Sequence, residues 1–194
     1  MKTSAWHLLF AEEELARLER DFSRRFKKPA FQKKPTFWKL QQFYGNRQTR
    51  TLLYYRLARA CRVPLLKNLL ERGYQQASHQ TGIEFHTPDL GGGLILPHWG
   101  RIILNARSIG TDLYVFHNVT VGNDYATGIP TLGNNVFIGV NSVILGQISI
   151  GDHVVIGASS FVNQDVPANS LVAGNPAKVI KTIGPDFISE MIGY

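Results

Sequence analysis

The chain has 194 residues, 44% of them hydrophobic, a formal net charge of +7 and one cysteine, Cys61. That length fits one domain with a smaller appendage. The lone cysteine excludes an internal disulfide, no run of about 18 apolar residues is present to span a membrane, and MKTSAWHLLFAEEE is too short in its apolar part for a secretion signal, so a reducing, cytoplasmic setting is expected.

Residues 1–80 hold 17 Lys/Arg against 6 Asp/Glu, whereas residues 81–194 hold 4 against 8. Two units of opposite sign are expected. The basic unit suits an anionic polymer, a membrane surface or nucleic acid, or is a solvated helical face. WHLLFAEEELARLERDFSRRF has helical spacing, with Leu8, Phe10, Leu15, Leu18 and Phe22 as its apolar stripe. KKPAFQKKPTF reads as a Lys/Pro-rich linker. NRQTRTLLYYRLARACRVP reads as a second helix stopped by Pro64, and LLKNLLERGYQQAS as a third.

From residue 81 the period becomes six. Leu132, Ile138, Ile144, Ile150, Ile156 and Val162 recur at that spacing, glycine follows four of them, and Ile109, Val115 and Val121 extend the series upstream, with Ile103 before them. Neither a helix nor an ordinary strand has this period; it belongs to a parallel β-helix of hexapeptides, in which positions 18 apart stack. The solenoid is expected over 81–183, behind a helical region at 1–80 and before a short C-terminal helix at 184–194.

The series breaks twice. NDYATGIPT, after Val121, reads as a loop leaving the coil. Leu96 and Ile103 are seven apart, with His98 and Trp99 between them. His98 reads either as a general base or as a structural histidine. His117 falls about one coil later on the same face, where it lines a site or stacks structurally. After Arg107 the only Lys/Arg residues are Lys178 and Lys181, which suit phosphates or a solvated face. No Cys/His metal spacing and no nucleotide-binding glycine motif is present.

IGVNSVILGQISIGDHVVIGASSFVNQDVPANSLVAGNPAKVIK resembles the hexapeptide acyltransferases, and GIEFHTPDLGGGLILPHWGRIILNARSIGTDLYVFHNVTVG resembles their serine acetyltransferase branch, which includes enzymes that O-acetylate capsular or exopolysaccharide sugars. The resemblance implies a mainly β, left-handed parallel β-helix, acetyl-CoA as co-substrate, no metal, and a homotrimer with sites between subunits. It places the family histidine at His98 and its acidic partner at Glu84, although Asp has become Glu. It assigns the pantetheine path to Gly139, Gly157, Ala158, Ser159 and Gly174, and the CoA phosphates to Lys178 and Lys181.

Two departures bear on the acceptor. Pro97 stands where the serine acetyltransferases carry an acidic residue, and NDYATGIPT lacks their Arg-His pair. With both charged handles gone, the expected acceptor is a hydroxyl of a capsular or surface polysaccharide, or its sugar precursor, with no nucleic-acid partner. Serine O-acetylation is the alternative, and a non-catalytic scaffold with basic helices a third reading. In the expected reaction His98 takes the acceptor proton in a direct transfer, its tautomer fixed by Glu84.

Overall fold

A computed structural model of the protein describes residues 9–27 and 33–193. Four helices come first: α1 (Glu12–Arg25), α2 (Thr36–Gly45), α3 (Arg47–Ala60) and α4 (Pro64–Thr81). Three glutamates open α1 and Arg24 and Arg25 close it, each matched to the helix dipole. Pro64 does more than stop α3. It sits in the first turn of α4, where its missing N–H has no bond to make. The expected stripe residue Leu8 and residues 28–32 of the Lys/Pro-rich linker lie outside the described residues; α2, which begins at the linker's end, was not expected.

Fourteen short strands follow: β1 (Ile83–Phe85), β2 (Asp89–Leu90), β3 (Ile102–Leu104), β4 (Ser108–Ile109), β5 (Tyr114–Val115), β6 (Val119–Gly122), β7 (Thr131–Leu132), β8 (Phe137–Ile138), β9 (Val143–Leu145), β10 (Ser149–Ile150), β11 (Val155–Ile156), β12 (Phe161–Val162), β13 (Ser170–Gly174) and β14 (Ala177–Thr182). They wind into a left-handed parallel β-helix of about five turns. Its first face is ordered β1-β3-β6-β9-β12, its second β2-β4-β7-β10 and its third β5-β8-β11-β13, where β14 folds back antiparallel on β13. Helix α5 (Phe187–Ile192) packs Ile188 against Val155 and Ile183.

The six-residue series fills the core. Its members from Ile109 to Val162 are at most 3% exposed, each worth ~1.5–3 kcal/mol of burial. Ile103 is the exception. Ile102 and Leu104 point inward at 0% exposure, and strand alternation turns Ile103 out. Leu104 is the residue in register with Val121. The core spacing from Leu96 is therefore eight rather than seven, and two extra residues are accommodated after His98.

The helices dock on the first coil through its backbone. The Tyr74 hydroxyl accepts from Phe85 N at 2.7 Å, and the Tyr55 hydroxyl donates to Thr87 O at 2.9 Å. Arg59 donates to Pro88 O and Arg24 to Gly93 O. Arg56, 0% exposed, donates to Leu90 O and Gly91 O at 2.5 and 2.6 Å and pairs with Asp21 at 2.9 Å. Asp21 in turn accepts the amides of Gly93 and Leu94. Ion pairs flank this seam, Arg17 with Asp89 at 2.7 Å and Arg20 with Asp112 at 2.5 Å. Much of the basic charge of the helices thus meets carbonyls and carboxylates of its own chain. Among the described residues no helix is long and apolar enough to cross a membrane.

Candidate active site

The strand register places His98 directly beneath His117. Ile95 pairs with Tyr114, and three residues beyond each stand the two histidines. Val115 pairs with Ile138, Ile138 with Ile156 and Ile156 with Val172. Two residues beyond these come His117, Val140, Ala158 and Gly174, one column along the corner between the third and first faces. The imidazoles of His98 and His117 are perpendicular, with centroids 5.7 Å apart, and Phe116 lies 5.8 Å from His98. His98 is exposed and His117 half-buried. His117 Nδ1 is buried and has no hydrogen-bond partner among the described residues. Gly100, at φ +145°, is required here, because a Cβ would stand 2.9 Å from His117 Cβ.

The extra residues after His98 throw Trp99 outward to 58% exposure. Its ring lies under the guanidinium of Arg47, the first residue of α3, at 5.7 Å. Sequence reading missed Arg47, which lies 51 positions before His98 and carries no local signal.

The structure does not join Glu84 to His98. Ile83 and Phe85 are buried, so alternation along β1 turns Glu84 to the outside. Its Oε2 lies 3.1 Å from His86 Nε2, and both side chains are about half exposed. Among the described residues, His98 is positioned by Phe116 and His117 rather than by a carboxylate.

Of the residues assigned to the coenzyme, Ala158 and Gly174 share the histidine column, Ser159 follows Ala158, and all three are exposed. Gly139 and Gly157 stand one position earlier, in line with Phe116. A Cβ on Gly139 would come 2.6 Å from Ala158 N, and one on Gly157 3.0 Å from Ala173 Cβ, so both let successive coils stack closely. Lys178 pairs with Ala173 in the β13–β14 ladder. It stands on β14, one strand past the end of the column, five strand spacings or about 24 Å from His98 at ~4.8 Å per strand. Lys181 lies 4.8 Å over the Phe187 ring. A path bordered by small residues, with a base at one end and an exposed ammonium at the other, fits an elongated thioester with a phosphorylated tail. No group of three or more potential metal ligands occurs among the described residues.

The loop after β6 is closed on itself. Asp124 accepts the Thr127 hydroxyl at 2.6 Å and the amides of Ala126, Thr127 and Gly128. These bonds, the hydroxyl first, hold its carboxyl well below the usual carboxylate range. Thr127 Oγ1 also accepts Gln147 N at 3.0 Å, docking the loop on the next coil. Tyr125 stands at its tip, 94% exposed.

Residues 130–164 match the family model "Bacterial transferase hexapeptide (six repeats)". The chain is 39% identical over 137 residues to a serine acetyltransferase of Helicobacter pylori, covering 66% of this chain and 78% of that protein. Its fold is similar to that of the Neisseria gonorrhoeae serine acetyltransferase in complex with serine, at TM-score 0.70 and 26% identity, over 87% of this chain and 69% of that one. It is also similar to the Brucella abortus serine acetyltransferase in complex with coenzyme A, at TM-score 0.70 and 23% identity, over 89% and 69% of the two chains; this last likeness concerns the fold alone.

These findings overturn the expected polysaccharide acceptor and the closeness to capsular enzymes, because the relatives at substantial identity are serine acetyltransferases. The inference from NDYATGIPT failed for a physical reason. The charges of an acceptor are met by whatever side chains the fold brings to the base, and one loop does not enumerate them.

Proposed function

Because the chain belongs to the serine acetyltransferase family of hexapeptide-repeat transferases, we propose that this acetyl-CoA-dependent acyltransferase acetylates the hydroxyl of L-serine. The observation that carries the reading is the 39% identity across 78% of a serine acetyltransferase. An alcohol is a weak nucleophile at neutral pH, and an imidazole, with an ordinary pKa of about 6.5, is matched to accept its proton during attack. In the proposed reaction His98 takes the hydroxyl proton as the serine oxygen bonds to the thioester carbonyl carbon. The carbon–sulfur bond then breaks, the thiolate of CoA leaves, and the imidazolium returns the proton to it. His117 packs edge-on against the base and limits its rotation. Ala158, Ser159 and Gly174 border the pantetheine arm, Gly139 and Gly157 keep the coils beneath it close, and Lys178 and Lys181 meet the phosphates. Glu84, turned outward toward His86, takes no direct part in the proton transfer.

We also propose a homotrimer. The family supports it, as does the half-buried aromatic row Tyr114, Phe116 and Phe137 on the third face, whose neighbouring centroids are 5.3 to 5.7 Å apart. The test of the activity is thiol release from acetyl-CoA with L-serine, with the product identified by mass. Release no faster with serine than without an acceptor sinks the proposal.

A further inference from the structure

Serine offers its base a hydroxyl like that of any small alcohol. Its carboxylate takes no part in the chemistry, so a site selective for an amino acid needs a cation held near the base. Arg17, Arg20, Arg56 and Arg59 already face carboxylates of their own chain. Arg47 differs. Among the described residues its guanidinium packs on the Trp99 ring at 5.7 Å and no carboxylate pairs with it. Trp99 directly follows His98 and is pushed out to 58% exposure by the two-residue insertion. An indole fixes the guanidinium plane while leaving its N–H fork open, and that fork matches a carboxylate bidentately. Arg47 also opens a helix of 14 residues, whose N-terminal dipole adds positive potential at the same place.

We infer that Arg47, held over the Trp99 ring, binds the carboxylate of the amino-acid acceptor and is a specificity-determining residue of this enzyme. The inference rests on the proposed serine acetyltransferase activity. It gives the helical unit a part in acceptor choice and makes the residue after the base a platform for a cation. The grip on the substrate then comes from α3, not from the loop after β6, where Asp124 and Thr127 are occupied with each other.

The experiment compares wild type, Arg47→Met, Arg47→Lys and Arg101→Met, each checked for an unchanged melting temperature. L-serine and ethanolamine, which lacks the carboxylate, serve as acceptors. Losing a hydrogen bond to a charged group by truncation corresponds to roughly 10- to 150-fold. Arg47→Met is expected to raise the serine KM by that range, with kcat and the acetyl-CoA KM within about threefold. It should also bring the serine-to-ethanolamine preference in kcat/KM toward unity. Arg47→Lys restores part of the loss, and Arg101→Met, which removes a nearby exposed cation, leaves the serine KM unchanged. A wild type that acetylates serine beside an Arg47→Met variant with the same serine KM overturns the inference alone. A wild type that releases no thiol with serine overturns the proposed function and this inference with it.

Discussion

Arg56 and Asp21 are both completely buried, and their 2.9 Å ion pair joins α3 and α1 to the coil that leads into His98. Every charged atom of the pair has a partner: Arg56 reaches the carbonyls of Leu90 and Gly91, and Asp21 the amides of Gly93 and Leu94. Burial pushes the Asp21 carboxyl up, opposed by Arg56 and the two amides. Breaking a buried pair from one side strands the other charge, at a cost of about 3–5 kcal/mol. Arg56→Met is therefore expected to lower the urea unfolding free energy by that amount. Arg56→Met with Asp21→Asn should cost less than the two single changes added together.

Replacing the proposed base separates chemistry from folding. His98 is exposed, so His98→Ala should leave the urea midpoint nearly unchanged while kcat falls by about 10²–10⁴. His117→Leu removes a buried ring nitrogen that has no partner among the described residues, and is expected to leave stability equal or higher. An unchanged kcat in His98→Ala refutes the assignment.

Glu84 faces His86, at 3.1 Å, and not His98. The expected loss in kcat/KM for Glu84→Gln is under about threefold, as for a distant exposed charge. Steady-state kinetics at several ionic strengths checks this. A loss above a hundredfold would instead make the carboxylate a direct partner of the base.

The Tyr74 hydroxyl is pushed up to about 12, first by burial. The unfolded chain releases this proton near pH 10 and the folded chain does not until about two units later. Stability should hold below pH 10 and fall, by up to ~1.4 kcal/mol per pH unit from this residue, as pH rises toward 12. Chemical unfolding at pH 9 to 11.5 should show a shallower decline in Tyr74→Phe.

The solenoid was legible because a six-residue period forces one side chain per face inward, and every coil repeats that demand. At Ile103 the same periodic logic slipped: the two-residue insertion moved the inward position to Leu104, and only the strand register reveals it. The His98–His117 pairing was readable for the complementary reason, since register carries it across one coil. The Arg56 and Arg47 contacts were not legible. They span 34 and 52 residues and depend on where helices dock, which no local pattern encodes. The basic excess of residues 1–80 was visible as a number, but its use within the chain was visible only in the fold.

A stack of parallel strands has two terminal rows of backbone groups that invite pairing with another chain. At one end, Tyr74, Tyr55, Arg56, Arg59, Arg24 and Asp21 occupy amides and carbonyls from Phe85 to Leu94. At the other, β14 turns back antiparallel over β13 and ends the parallel series on the third face. The helices therefore act as a stopper. They keep a fold made for endless repetition at a finite length and deny one copy a template for growth onto the next. Loosening the Arg56–Asp21 pair should consequently show itself first as fibrillar self-association, before any loss of helix or strand content.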